Sequence, residues 1–124
     1  MMKIIISIRL ALLSMLMTVG IAHAQCYIKD YQTGKKVLER DNNYVKLYSN
    51  GKKVAEFDAG YLKDYQTGRK LFEMDGSYVK LYSNGKKVAE IDGNYLKDYQ
   101  TGKKLAEFDC PGHFSALAAA YYFF

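Results

Sequence analysis

Few side chains in this sequence are of the types that do covalent chemistry, and their spacing directs most of them to other work. Cys26 and Cys110 are the only cysteines, His23 and His113 the only histidines, and the 13 carboxylates recur at regular intervals. Two distant cysteines with no CxxC and no clustered histidine make neither a zinc-ligand set nor a redox pair; in an exported chain they make one structural disulfide. Glu39, Glu56, Glu73, Glu90 and Glu107 stand 17 residues apart. Acid–base catalysis needs two carboxylates in unlike surroundings, and five equivalent glutamates provide no such asymmetry. His113 lacks the partners of a triad or of a metal site. Turns such as Asp75-Gly76-Ser77 lack the alternating oxygen ligands of a calcium loop. The repeated glycines have no strand-to-helix context that would make them a phosphate loop. The expectation is a chain with no catalytic residue, metal ligand or cofactor, that is, not an enzyme.

Binding is the chemistry that remains. Tyr48, Lys52 and Lys53, with the equivalent Tyr82, Lys86 and Lys87, place aromatic faces beside paired ammonium groups and are the candidate binding surface. Nucleic acid is not the expected partner, because acids are interleaved with these lysines and the net charge is modest. A repeated Tyr, Lys and Asp pattern suits a repetitive partner, since several weak contacts multiply in affinity.

The elements that carry these residues begin after an N-terminal leader. Lys3 and Arg9 accompany an apolar run from Ile4 to Ile21, and Ala22-His23-Ala24 offers the small residues of a cleavage site, so residues 1–24 read as a secretory signal peptide. Arg9 interrupts the run, which suits cleavage better than a membrane anchor. A lipoprotein role for Cys26 is disfavoured by Gln25, which is not a small residue. Cleavage after Ala24 removes Lys3 and Arg9, so 16 basic residues then face 13 acidic ones and the formal charge falls from +5 to +3. The localisation expected is periplasmic or secreted. One mature domain, 25–124, follows, too small to rest on a large core alone. A bridge from Cys26 to Cys110 closes almost the whole of it.

Tyr27, Tyr44, Tyr61, Tyr78 and Tyr95 open five units of 17 residues across 27–111. YVKLYSNGKKVAE at 44–56 recurs unchanged at 78–90, and YLKDYQTG at 61–68 recurs at 95–102. Each unit reads as two short strands about a glycine turn, Asn50-Gly51 being the strongest, and glycine at every 17th residue excludes helices. The fold class expected is all-β: five hairpins forming a closed or petal-like sheet, with a short C-terminal helix over 113–124 packed against it. Pairing across a two-residue turn at Asn50-Gly51 places Tyr44, Lys46 and Tyr48 on one face with Lys53, Ala55 and Phe57, and that face is the better core candidate. Val45, Leu47 and Val54 fall on the other, which is also partly apolar. The repeated lysines and glutamates, Lys46 and Glu56 among them, are expected to form surface ladders between hairpins. Phe114, Leu117, Ala118 and Tyr121 share one helical face, with which the helix would plug or cover the sheet. Tyr122 and the last phenylalanine match an outer-membrane insertion signal in two residues only. The strands are too short for a spanning barrel, which leaves association with a membrane surface as the membrane role expected.

The cadence Tyr48-Ser49-Asn50-Gly51-Lys52-Lys53-Val54-Ala55-Glu56-Phe57-Asp58 resembles that of the bacterial β-flower repeat proteins. It is more loosely similar to the tyrosine and glycine repeats of MORN-like proteins. The resemblance covers residues 27–109 and implies hairpin petals around a pseudo-symmetry axis; it carries no catalytic residue across. The expected function is a non-enzymatic exported module that binds an envelope protein, a glycan or a peptidoglycan surface. The alternatives are an inhibitor or immunity protein for a periplasmic enzyme, an envelope structural protein, and a small enzyme with a site near the tail.

Overall fold

A computed structural model describes residues 26–124; the expected leader, 1–24, lies outside the described residues. Ten strands follow in order: β1 Cys26–Asp30, β2 Lys36–Asp41, β3 Tyr44–Leu47, β4 Lys53–Asp58, β5 Tyr61–Asp64, β6 Lys70–Asp75, β7 Tyr78–Leu81, β8 Lys87–Asp92, β9 Tyr95–Asp98 and β10 Lys104–Phe108. Helix α1, His113–Phe123, ends the fold. Every strand pairs antiparallel with its sequence neighbours, and β1 pairs with β10 through Ile28↔Phe108 and Lys29↔Glu107, so the sheet closes into a barrel. Of the closed and petal-like arrangements expected, the closed one is found. It leaves no unpaired strand edge.

Of the two kinds of connection, the glycine turn within each unit differs from the expected one, and the difference sets the register. The tight two-residue turns lie between units, at Asn42-Asn43, Ala59-Gly60, Gly76-Ser77 and Gly93-Asn94, each with positive φ at its first residue. Positive φ there is what the primed hairpin turns require. The Asn50-Gly51 connection is instead a five-residue loop, Tyr48 to Lys52, whose first four residues make a turn. The Leu47 N–H donates to the Lys52 carbonyl at 2.9 Å and the Gly51 N–H to the Leu47 carbonyl at 2.8 Å. Gly51 ends that turn at φ +73°, and the other loop glycines lie within a few degrees of it.

A bulge follows each loop, so Lys46 opposes Lys53 while Val45 opposes Ala55. Counting across a two-residue turn had placed Tyr44 and Ala55 together; in fact Val45 and Ala55 face the interior, whereas Tyr44, Lys46 and Lys53 line the outer wall. The extra residue, Val54, packs against the core beside Ala55. Phe57 also packs inward, as expected. The tyrosines belong outside, and the face assigned to the core was correct only for Ala55 and Phe57.

One fully enclosed ring results. Ile28, Val45, Leu62, Val79 and Leu96 come from the first strands of the units and Leu38, Ala55, Phe72, Ala89 and Ala106 from the second. Eight strands enclose a lumen that side chains alone can fill, and ten enclose more. The surplus is taken by α1, whose residues Phe114 to Ala120 are all buried, whichever way they point. The helix packs against strands all the way round the barrel. It is therefore an axial plug, not a cover with one apolar face. Alanines on α1 and at 55, 89 and 106 on the wall keep the diameters compatible. Ser115, the buried polar residue of α1, donates its hydroxyl proton to the Cys110 carbonyl.

Cys26 and Cys110 form the expected disulfide, with Cα atoms 5.5 Å apart. It sits at the end of the barrel that holds the two-residue turns, where β1 begins and the chain turns into α1. That end also holds the stack of Phe114 on Phe57, centroids 4.8 Å apart.

Ala59 stands out among the tight turns. It adopts φ +53° where the equivalent residues are Asn42, Gly76 and Gly93. A left-handed conformation costs an alanine about 1–2 kcal/mol. Ala59→Gly is expected to raise unfolding free energy by about 1 kcal/mol, net of the glycine's greater chain entropy. Urea titration of the two proteins measures it, and an unchanged or lower midpoint would refute the strain assigned to this turn.

Candidate functional site

The outer wall carries five copies of one arrangement. Tyr27 of β1 meets Tyr48, in the loop after β3, edge to face at 5.7 Å, and Lys36 of the intervening β2 sits 4.0 Å above the Tyr27 ring. The same station is built by Tyr44, Lys53 and Tyr65, by Tyr61, Lys70 and Tyr82, and by Tyr78, Lys87 and Tyr99. Tyr95, Lys104 and Tyr31 complete the set across the β10–β1 seam. Five units thus close with equivalent contacts at every junction, including the one that sequence order does not provide. Each station joins two neighbouring units. An edge-to-face aromatic pair contributes about 0.5–1.5 kcal/mol beyond its area and an exposed cation–π contact about 0.5–1 kcal/mol.

The stations retain free surface. The ring of Tyr27 and its four counterparts is half-buried under the lysine, whereas Tyr31, Tyr48, Tyr65, Tyr82 and Tyr99 remain 44–48% exposed. Of the six candidate binding residues, Tyr48, Lys53, Tyr82 and Lys87 fall in four different stations. Sequence proximity groups Tyr48 with Lys53, but Tyr48 meets Tyr27 and Lys36 of the preceding unit, whereas Lys53 sits over Tyr44 of its own unit and faces Tyr65 of the next. Lys52 and Lys86 lie in the glycine loops with exposed side chains, their backbone N–H groups donating to Asn50 and Asn84 Oδ1 at 2.9 Å.

Several other recurrent residues are accounted for by local structure. Asp64 accepts hydrogen bonds from the Thr67 N–H and hydroxyl, both at 2.9 Å, and these hold its carboxyl below the ordinary value. In units with Ser-Asn-Gly, Asn50 or Asn84 closes the loop instead. The two-unit alternation is therefore a change of loop chemistry on one frame. Lys46 donates to Asp41 at 3.0 Å, which raises its pKa, and Lys63, Lys80 and Lys97 pair likewise with Asp58, Asp75 and Asp92. Glu39 does stand opposite Lys46 in the register, but the close ion pair is with the aspartate at the strand's end. The expected lysine–glutamate ladder is thus a lysine–aspartate clasp.

The repeat breaks at two places. Arg40 occupies the position filled by Phe57, Met74, Ile91 and Phe108 in the other units, and its guanidinium lies 4.3 Å from the Phe114 ring centroid. Aligning the five units displays this departure in the sequence itself. At the opposite end, Tyr121, Phe123 and Phe124 emerge among the glycine loops and line shallow hollows. One of about 400 Å³ includes Asp30, Asp98, Lys103 and Phe123, and one of about 300 Å³ includes Arg69, Phe72, Tyr121 and Phe124. His113 is exposed at the other end and lines none of these hollows. Among the described residues no three His, Cys, Asp or Glu side chains are grouped to hold a metal ion. No described helix is long and apolar enough to cross a membrane.

Comparison of the chain with protein-family models, with curated proteins and with solved structures finds no match in any of the three.

Proposed function

We propose that this chain is an exported, non-enzymatic binding module that holds to a repetitive surface of the cell envelope through its five tyrosine–lysine stations. The observation that supports it is their equivalence: five exposed tyrosines, each with a lysine ammonium 5.4–5.9 Å from its ring, make the same contacts round a closed wall. A single exposed tyrosine binds weakly. Five on a rigid frame engage neighbouring groups of one surface without further loss of translational freedom, so weak contacts multiply. A disulfide that closes the barrel agrees with an oxidising compartment, and the leader expected over residues 1–24 agrees with export.

Sedimentation with isolated bacterial envelopes tests this reading. The disulfide-bonded protein is expected to pellet with them, and Tyr48→Ser with Tyr82→Ser to lower retention about tenfold, at roughly 0.7 kcal/mol for each station weakened. Circular dichroism confirms that the variant keeps its fold. Undiminished retention after all five exposed loop tyrosines are replaced, or no retention of the wild type, would refute the proposal.

A further inference from the structure

We infer that the glycine-loop end of the barrel docks flat on the surface of an anionic phospholipid bilayer. Three observations meet at this end. The first is charge. Each of the five loop glycines is followed by two basic residues, as in Lys52-Lys53 and Arg69-Lys70, the first within the loop and the second opening the next strand; these ten cations outnumber the acids Asp30, Asp64 and Asp98 that end the strands entering three of the loops, a net side-chain charge of +7. The remaining described residues carry six cations, Arg40 among them, and ten carboxylates, a net −4. The two values give the +3 of residues 25–124, so the modest overall charge conceals a strongly polarised barrel.

The second is apolar exposure. All seven exposed large hydrophobic side chains of the described residues belong to the same end: the five loop tyrosines, Tyr122 and Phe124. Tyr122 and Phe124 are 46% and 50% exposed, at the centre of the ring, where α1 leaves the lumen. Tyrosine and phenylalanine amid lysine is the composition of an interfacial surface, with aromatic rings at headgroup depth and ammonium groups on the phosphates. The third is shape. Loops of one length on a pseudo-fivefold barrel finish at a common height, so this end presents a plane with an aromatic centre and a basic rim. A bilayer surface is planar, anionic and apolar just beneath its headgroups.

The inference rests on the envelope-binding reading above and names the surface. The asymmetry also sets orientation, because the net-negative end carrying the disulfide and Arg40 faces away from the lipid. Docking by this end buries no long apolar segment, so attachment is peripheral and salt-sensitive.

Vesicle sedimentation tests it, with the disulfide-bonded protein and two compositions: phosphatidylcholine alone, and phosphatidylcholine with three parts in ten phosphatidylglycerol. Binding to the anionic vesicles is expected to be about tenfold or more tighter and to weaken as salt rises. Replacing Lys35, Lys52, Lys86 and Lys103 by glutamate, all exposed loop positions, is expected to abolish the preference. Phe124→Ser is expected to lower the binding that persists at high salt. Arg40→Gln at the opposite end serves as the control and is expected to leave binding intact. Equal binding to both compositions, or an unchanged preference in the loop variant, would overturn the inference. Retention on whole envelopes without retention on vesicles would overturn it too, and would leave the envelope-binding reading standing with a glycan or protein as the surface. Failure on both would remove both.

Discussion

Removing the Cys26–Cys110 bridge by serine substitution at both positions is expected to lower unfolding free energy by about 4–5 kcal/mol, the largest loss of any change short of deleting an element. The chain-entropy relation assigns that value to a closed loop of this length, the cysteines being 84 residues apart. A domain of this size holds about 5–15 kcal/mol in all, so the variant is left near its folding threshold. The bridge joins the start of β1 to the second residue past β10, across the one strand pair that does not link sequence neighbours. Every other pair is joined by a loop of two to five residues and re-forms easily after local opening. Without the bridge, β1 pairing with β10 must close the whole array. The loss is therefore expected in two measurements: a lower guanidinium midpoint, and faster amide exchange in β1 and β10 than in β5 and β6. An unchanged midpoint with uniform exchange would mean that the seam holds without the bridge.

The parts of this fold that were legible in the sequence are those set by covalent order and local turn chemistry. The 17-residue period, the hairpins and the staple follow from positions of tyrosine, glycine and cysteine, and the terminal helix from the alanine-rich run and the spacing of Phe114, Leu117, Ala118 and Tyr121. Register was less legible, because Asn50-Gly51 has the composition of a two-residue turn while Gly51 serves as the fourth residue of a five-residue loop. The bulge at Val54 then returns Ala55 and Phe57 to the interior, which is why part of the expected core was right for the wrong pairing. The stations were not legible at all. Tyr27 and Tyr48 lie in different units and meet only because the strands are staggered around a closed wall. Their lysine comes from a third strand, and no spacing within one repeat contains that information. Charge polarity, by contrast, was present in the sequence once strand direction was known. Basic pairs always follow the loop glycine, and the aspartates at 41, 58, 75 and 92 always precede the tight turn. Counting charges over the whole chain cancels the two ends.

The helix provides the second large effect, and it separates a plug from a cover. Leu117 is fully buried in the lumen, and Leu117→Ala is expected to cost about 3 kcal/mol, since the rigid wall of paired strands collapses little into the space vacated. That change alone does not discriminate, because Leu117 lies on the apolar face under either arrangement. Ala116 and Ala119 do. They project from the side of α1 opposite Phe114, Leu117, Ala118 and Tyr121, so a helix lying on the sheet would expose them, and enlarging them would shift stability by no more than about 0.5 kcal/mol. In the barrel both are wholly enclosed. Adding three carbons at either meets wall atoms on every side, and Ala116→Leu and Ala119→Leu are each expected to cost about 2 kcal/mol through overpacking. The two substitutions lie in one lumen and compete for the same space. Their combination is accordingly expected to cost more than the sum of the separate losses, as close neighbours do. Urea titrations of the two single variants and the double, with the disulfide intact, measure all three values. Near-neutral results at both alanines would place the helix outside the wall and leave the ten-stranded lumen without its contents.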